Sequence, residues 1–390
     1  MSTPARTPRT LPRRDWLLLP LISLLTIVSM FCVSEAATRL VWNRGGSDPC
    51  RLADATRIGN TPNCTARLKR PESPWVDYSY NDCGYRTEEP CYHKHPGSWR
   101  IALLGSSLAE GYMVPYAQTF AAQAGAGLSK VSRRSVEVQD MAAPECWPDC
   151  AARRVGEALS VRPDAVMLAI SPFDVAQDTV YHPPTGEPPR RPGPDTAKPP
   201  LIQRSIQFLS GSRTVLVAKH FLYQNTQTYV RLYLLQGDTA DFLRQPFTPA
   251  WEKRFSNLDL QLGEMAAKTH AAGVPLLLIV APEHAQTILL GMPNLPPGVD
   301  PYAFERRIAR IAAKHGIVFV DVFKEFAAAA PQVNSLFYPA DGHWTAAGHF
   351  VISQAIVRSC LDGGLPFLPG CSAVDPPDPA ADAPHIHGVH

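Results

Sequence analysis

Arg100-Ile101-Ala102-Leu103-Leu104-Gly105-Ser106-Ser107-Leu108-Ala109-Glu110-Gly111 is the stretch whose reading decides the fold. Residues 101–104 are an unbroken apolar run that stops at a glycine, the pattern of a strand buried on both faces. The chain then turns polar at Ser106-Ser107, which reads as a corner from strand into helix. Four further runs, at residues 135–139, 164–170, 274–280 and 317–321, have the length and composition of strands. Helical patterns are expected between and after them, at 116–129, 150–160, 201–235, 250–271, 302–314 and 346–361. Strands alternating with helices predict an α/β chain: a doubly wound, flavodoxin-like, mostly parallel sheet with helices on both faces. Sites in such sheets gather at the carboxyl ends of the strands, so Ser106-Ser107 lies where chemistry is expected.

Working outward, the N-terminal 15 residues carry Arg6, Arg9, Arg13 and Arg14, and residues 16–33 follow without a charge. At about 1.5 Å per residue that run reaches roughly 27 Å, close to a bilayer core. A basic flank before it predicts residues 1–15 on the cytoplasmic side, a transmembrane signal anchor over 16–34, and the remainder outside the cytoplasm. Ser34-Glu35-Ala36 also fits a cleavage site, which would release a secreted chain; the length of the run favours a retained anchor. Residues 35–97 are polar and rich in cysteine, and read as an extension tied down by disulfides. The α/β domain is expected over 98–364, interrupted by a proline-rich insertion at 182–200, and 373–390 reads as a disordered tail.

The chain has 390 residues, 45% of them hydrophobic, and balances 37 basic against 35 acidic side chains. It can bury a sizeable core, and nothing in its charge points to nucleic acid. Cys32 lies in the apolar run. The other eight cysteines form an even set, as an oxidising compartment favours. Neighbour pairing is the simplest arrangement: Cys50 with Cys64, Cys83 with Cys91, Cys146 with Cys150, Cys360 with Cys371. Zinc at Cys146 and Cys150 is the weaker alternative, because no second pair sits nearby at ligand spacing.

Two segments carry chemistry. A serine on the corner after a strand can present its hydroxyl at the sheet edge, with backbone N–H groups beside it for an oxyanion. Ser106-Ser107 also fits an ordinary helix cap. Near the C-terminus, Asp341-Gly342-His343 can supply an imidazole oriented by a carboxylate, or simply a cap for the last helix. Together they point to nucleophilic catalysis. His284, after the fourth strand, could line the site but reads more simply as a loop residue, and His349 reads as packed within the last helix. His385, His387 and His390 read as part of a solvated tail, with weak metal binding the lesser alternative.

Residues 101–114 resemble the Gly-Asp-Ser block of SGNH/GDSL hydrolases. Asn81-Asp-Cys-Gly-Tyr-Arg86 is similar to a segment that often precedes it. Residues 163–174 lie where that family has its Gly-x-Asn-Asp strand end, and residues 341–349 resemble its closing Asp/His block. The Asp-x-His spacing resembles that of alginate O-acetyltransferases and their relatives. The resemblance implies Ser107 as nucleophile, His343 as general base and Asp341 as its orienting acid. It further implies an oxyanion site from the N–H groups of Ser107 and Ala142, with neither metal nor organic cofactor. By location and resemblance, the partner would be an acylated small molecule or envelope polysaccharide, and the reaction ester hydrolysis or acyl transfer. Two positions depart from the pattern: Ser106 replaces an Asp, and Phe173 replaces the Asn that donates to the oxyanion. Losing one such donor costs on the order of 3 kcal/mol, about a hundredfold in rate. A non-catalytic binding or assembly module of the envelope is therefore the competing class.

Overall fold

The computed structural model describes residues 14–42, 47–53, 58–178 and 211–371. The basic segment before residue 14, the proline-rich insertion and the tail from 373 lie outside the described residues.

Helix α1 (Asp15–Val41) has a mean hydropathy of 2.4 over its most apolar window and buries none of it against the protein. It is long and apolar enough to cross a membrane. The helix runs past the apolar stretch because residues 35–41 are mostly good helix formers and Arg39 pairs with Glu35 one turn back.

The extension holds more regular structure than its sequence reading allowed. Strands β1 (Arg51–Ala53) and β2 (Ile58–Asn60) pair antiparallel, as do β3 (Thr65–Lys69) and β4 (Trp75–Ser79). In β4 the alternation is strict: Val76 and Tyr78 point inward, while Trp75, Asp77 and Ser79 face solvent. Cys50 and Cys64 join the two hairpins, and Cys83–Cys91 staples the segment leading into the next strand.

The domain proper begins with β5 (Trp99–Gly105), then the short α2 (Ser107–Glu110), α3 (Phe120–Ser132), β6 (Val136–Asp140), α4 (Pro148–Ser160), β7 (Ala165–Ile170) and α5 (Pro172–Gln177). After the insertion come α6 (Arg213–Tyr223), α7 (Thr226–Leu234), α8 (Pro249–Ala271), β8 (Leu276–Val280) and α9 (His284–Leu290). The chain closes with α10 (Ala303–Lys314), β9 (Val318–Asp321), α11 (Phe323–Ala329), α12 (Val333–Leu336) and α13 (Ala346–Leu361). The five strands lie in the order β6-β5-β7-β8-β9, all parallel. In chain order that is 2-1-3-4-5, the expected flavodoxin-like winding. Helices α4, α8 and α10 cover one face, while α3 and α13 pack together on the other.

Every residue of β5, β6, β7 and β8 is buried, so these strands need no alternation. Two of their buried residues carry opposite charges. Arg100 in β5 is fully buried, pairs with Glu137 in β6, and donates to the carbonyls of Pro90, Cys91, His93 and Val161. One guanidinium thereby ties the extension to the amino end of the sheet.

Cys146–Cys150 and Cys360–Cys371 complete four disulfides and leave Cys32 free. Thiol titration of the denatured, unreduced chain should therefore find one free thiol, and nine after reduction. Replacing Cys50 and Cys64 together by Ala should cost about 3 kcal/mol of stability, read by thermal unfolding. Several free thiols before reduction would contradict the pairing.

Candidate active site

Glycine is required at the end of β5. A Cβ on Gly105 would lie 2.7 Å from the Ala169 carbonyl oxygen of β7 and 2.5 Å from the Ala109 Cβ. Without it, the chain can turn hard against the neighbouring strand. Ser106 is buried and caps α2, its Oγ accepting from the Leu108 N–H at 3.3 Å. Ser107 is thereby the first residue of the helix and only half-buried, at the carboxyl edge of the sheet. Gly111 closes the short helix in the left-handed conformation, φ 76°. Arg86, fully buried, donates to the carbonyls of Glu110, Gly111 and Val114 at 2.6–2.8 Å and fixes the chain leaving it.

His343 arrives from the other end of the sequence. Residues 338–343 form a tight loop: the Gly342 N–H donates to the Tyr338 carbonyl and the Tyr338 N–H to that of His343. Gly342 sits at φ 89°, which few other residues adopt at low cost. Thr345 then caps α13. His349 is buried in that helix, as expected, and its Nδ1 accepts from the Phe120 N–H at 3.2 Å, locking α13 to α3.

These two ends meet. Ser107 Oγ lies 2.8 Å from His343 Nε2. His343 Nδ1 is hydrogen-bonded to Asp341 Oδ1. With the Nδ1 proton directed at the carboxylate, Nε2 is left to accept the Ser107 hydroxyl, the arrangement a general base requires. Burial works against the Asp341 charge, but the His343 beside it outweighs this and holds the carboxyl below its ordinary value. The Tyr112 ring stands 5.1 Å from the imidazole, and the Arg70 guanidinium lies over Tyr112 at 5.0 Å.

The oxyanion side differs from expectation. Ala142 is buried, and its N–H already donates to Asp140 Oδ1 at 3.1 Å, a local turn in which the aspartate reaches two residues forward. The next N–H, of Ala143, donates to the Gly105 carbonyl. Among the described residues, the Ser107 N–H has no acceptor. Phe173 opens α5 beside Pro172, is 43% exposed, and meets Trp147 edge-on at 5.6 Å. Its ring offers no donor. Behind it, Asp174 is buried and accepts from the N–H and hydroxyl of Ser171.

His284 is another correction. It is the buried first residue of α9 and not a loop residue, stacked between Tyr229 at 4.4 Å and Phe337 at 5.0 Å. Burial lowers its pKa to about 4, so it is neutral and serves the core. Sequence reading also passed over Arg70, Glu72, Tyr112 and the anchoring role of Arg86. Of these, Arg86 and Tyr112 stood in segments with a recognisable pattern, and Arg70 and Glu72 did not.

No family model matches the chain, and no curated protein matches it. Among solved structures, it is similar to LAE5, an alpha/beta hydrolase enzyme from the metagenome of Lake Arreo, Spain (14% identity, TM-score 0.40, covering 69% of this chain and 97% of that one). It is also similar to Axe2, an acetylxylan esterase from Geobacillus stearothermophilus (14%, TM-score 0.37, 67% and 93%). A third is a member of the lipolytic protein G-D-S-L family from Veillonella parvula DSM 2008 (12%, TM-score 0.36, 67% and 97%). Likenesses this distant say nothing of activity here; the side-chain geometry has to carry that.

Three carboxyls near the site, Asp174 and Glu110 buried and Glu283 largely so, predict how stability depends on pH. Burial raises Asp174 to about 6, and Glu110 and Glu283 to about 7. A group raised on folding binds more protons in the native state, so stability falls as pH rises from its unfolded value, near 4, through its folded value. Asp341 runs the other way, losing its contribution below pH 4. Buried His284 and His349, lowered to about 4 and about 3, oppose this trend below about pH 6.5, where the unfolded imidazoles take up protons. The melting temperature of the full chain should therefore be higher at about pH 6.5 than at pH 8, and Glu283→Gln should flatten the slope. An equal or higher melting temperature at pH 8 would contradict the burial of these acids.

Proposed function

We propose that this chain is a serine-dependent ester hydrolase or O-acyltransferase, anchored by α1 with its α/β domain outside the cytoplasm. The observation that carries the reading is the continuous link from Ser107 Oγ through the imidazole of His343 to Asp341. The half-buried Ser107 is open to an ester. Its oxygen attacks the acyl carbonyl while His343 Nε2 takes its proton, and Asp341 stabilises the imidazolium. The Ser107 N–H faces the developing oxyanion, joined by the Ala142 N–H once Asp140 releases it. On collapse, the bond to the alcohol breaks and His343 returns the proton to the leaving oxygen. Water or a sugar hydroxyl then attacks the acyl-serine by the same proton route, giving hydrolysis or transfer. Four disulfides and the basic flank before α1 support an extracytoplasmic setting. An acetyl group on envelope polysaccharide is the substrate this setting favours.

Phe173 and the engaged Ala142 N–H favour a second reading, a binding or assembly module that keeps the fold with the oxyanion site degraded. The two readings separate in initial-rate assays of the full chain in detergent with small activated acetyl esters. The enzyme reading predicts slow turnover, lost in Ser107→Ala and in His343→Ala. Phe173→Asn should raise the rate by about tenfold, less than a full donor is worth because the surrounding shell is not built to aim it. Equal rates in the wild type and Ser107→Ala would leave the binding module standing.

A further inference from the structure

Glu72 stands in the turn between β3 and β4, far from Asp341 in sequence, yet its side chain is 1% exposed. A carboxylate buried to that degree is costly unless donors surround it. Here they come from two directions. The N–H of Asp341 donates to Glu72 Oε2 at 2.7 Å, and the N–H of Ala340 is shared between both oxygens at 3.1 and 3.2 Å. From α6, His220 Nδ1 meets Oε1 at 2.5 Å. Trp42, just past α1, stands edge-on to His220 at 5.0 Å. The same turn carries Arg70, which lies over Tyr112 beside His343.

Among the described residues, no other acceptor serves the Ala340 and Asp341 N–H groups. The Asp341 side chain is partly open to solvent, and its hydrogen bonds go to His343 alone. The aim of that carboxylate is therefore set by its backbone, and the backbone is held from outside the loop by Glu72. We propose that Glu72 is a positioning residue of the triad. Acting through the Ala340–Asp341 backbone, it fixes Asp341 on His343 Nδ1, so that the N-terminal extension completes the active site. This rests on the reading of Ser107, His343 and Asp341 as catalytic.

The groups that bear on the imidazole are Asp341 and Ser107 in contact, Tyr112 beside it, Arg70 beyond Tyr112, and Asp174 beneath the corner. Those facing Glu72 are His220 from α6 and Tyr338 from the histidine loop, while Arg70 acts on Asp341 itself. Freeing the loop and deleting the Glu72 charge both weaken support for the imidazolium. His343 should then titrate at lower pH.

The experiment uses the full-length chain in detergent, with ring-13C histidine and the His343 signal assigned by His343→Ala. His343 is titrated by NMR in Ser107→Ala with and without Glu72→Ala, a readout that needs no turnover. In the Ser107 background, kcat, KM and the acid limb of the pH–rate profile are compared for wild type, Glu72→Ala and Glu72→Gln. For Glu72→Ala we expect kcat to fall about tenfold with KM within about twofold, and the His343 titration and acid limb to move down by about half a pH unit. Glu72→Gln, which keeps the volume and one acceptor oxygen, should show a smaller shift of the same sign, and decides the matter if the Ala variant does not fold. An unmoved His343 titration, or a loss of kcat that merely tracks loss of folded protein, would overturn the role of Glu72. If the wild type shows no Ser107-dependent turnover, the catalytic reading fails, while the titration still reports whether Glu72 governs the Asp341–His343 link.

Discussion

A hydroxyl–imidazole hydrogen bond weakens steeply once its partners drift beyond about 3 Å, and here it must be held between residues 236 positions apart. Two rigid bodies supply the two sides. Ser107 is fixed by the end of β5, where Gly105 packs against β7 and Arg86 grips the carbonyls that follow α2. His343 is fixed by α13, which packs along α3 and is locked there by His349 on the Phe120 N–H. Since α3 follows the corner that carries Ser107, the helix that follows His343 is registered against the chain that carries Ser107. The loop 338–343 lies between these bodies, and Glu72 meets it from the extension.

The interior is polar around this site to an unusual depth. Arg86, Glu110 and Asp140 are buried together behind Ser107, and Asp174 and Glu283 lie beneath the corner at β7 and β8. Such groups add little net stability compared with apolar packing. Their return is orientation: Arg86 satisfies three carbonyls that a short helix and its left-handed exit leave open. The same economy leaves a cost on the oxyanion side. Asp140 holds the Ala142 N–H, and Phe173 contributes only apolar surface, shared with Trp147.

Much of this was legible in the sequence because it is written in local patterns. Buried parallel strands read as unbroken apolar runs, so β5, β7 and β8 were found within two residues of their ends, and α13 matches its expected bounds. The disulfides followed from proximity along the chain. Strands β3 and β4 were missed although β4 alternates cleanly, because a hairpin of two five-residue strands among cysteines and prolines is easily taken for irregular chain. That Ser107, His343 and Asp341 come together could be read because they sit in recognisable runs. Glu72 and His220 could not, since nothing near either in sequence distinguishes it from a surface residue; only the fold brings them under Asp341. That the Ala142 N–H is engaged could not be read from sequence either, since it depends on the rotamer of Asp140.

Whether the geometry amounts to an activated nucleophile is open to direct chemical test. An electrophilic fluorophosphonate, applied to the folded full-length chain in detergent, modifies only a serine whose hydroxyl is deprotonated by a neighbouring base as it attacks. Peptide mapping by mass spectrometry should then find the adduct on Ser107 alone. The adduct should be lost when the chain is denatured before labelling and be strongly slowed in His343→Ala. An unlabelled Ser107 in the folded chain, or labelling indifferent to His343, would mean that the hydrogen-bonded triad does not work as one.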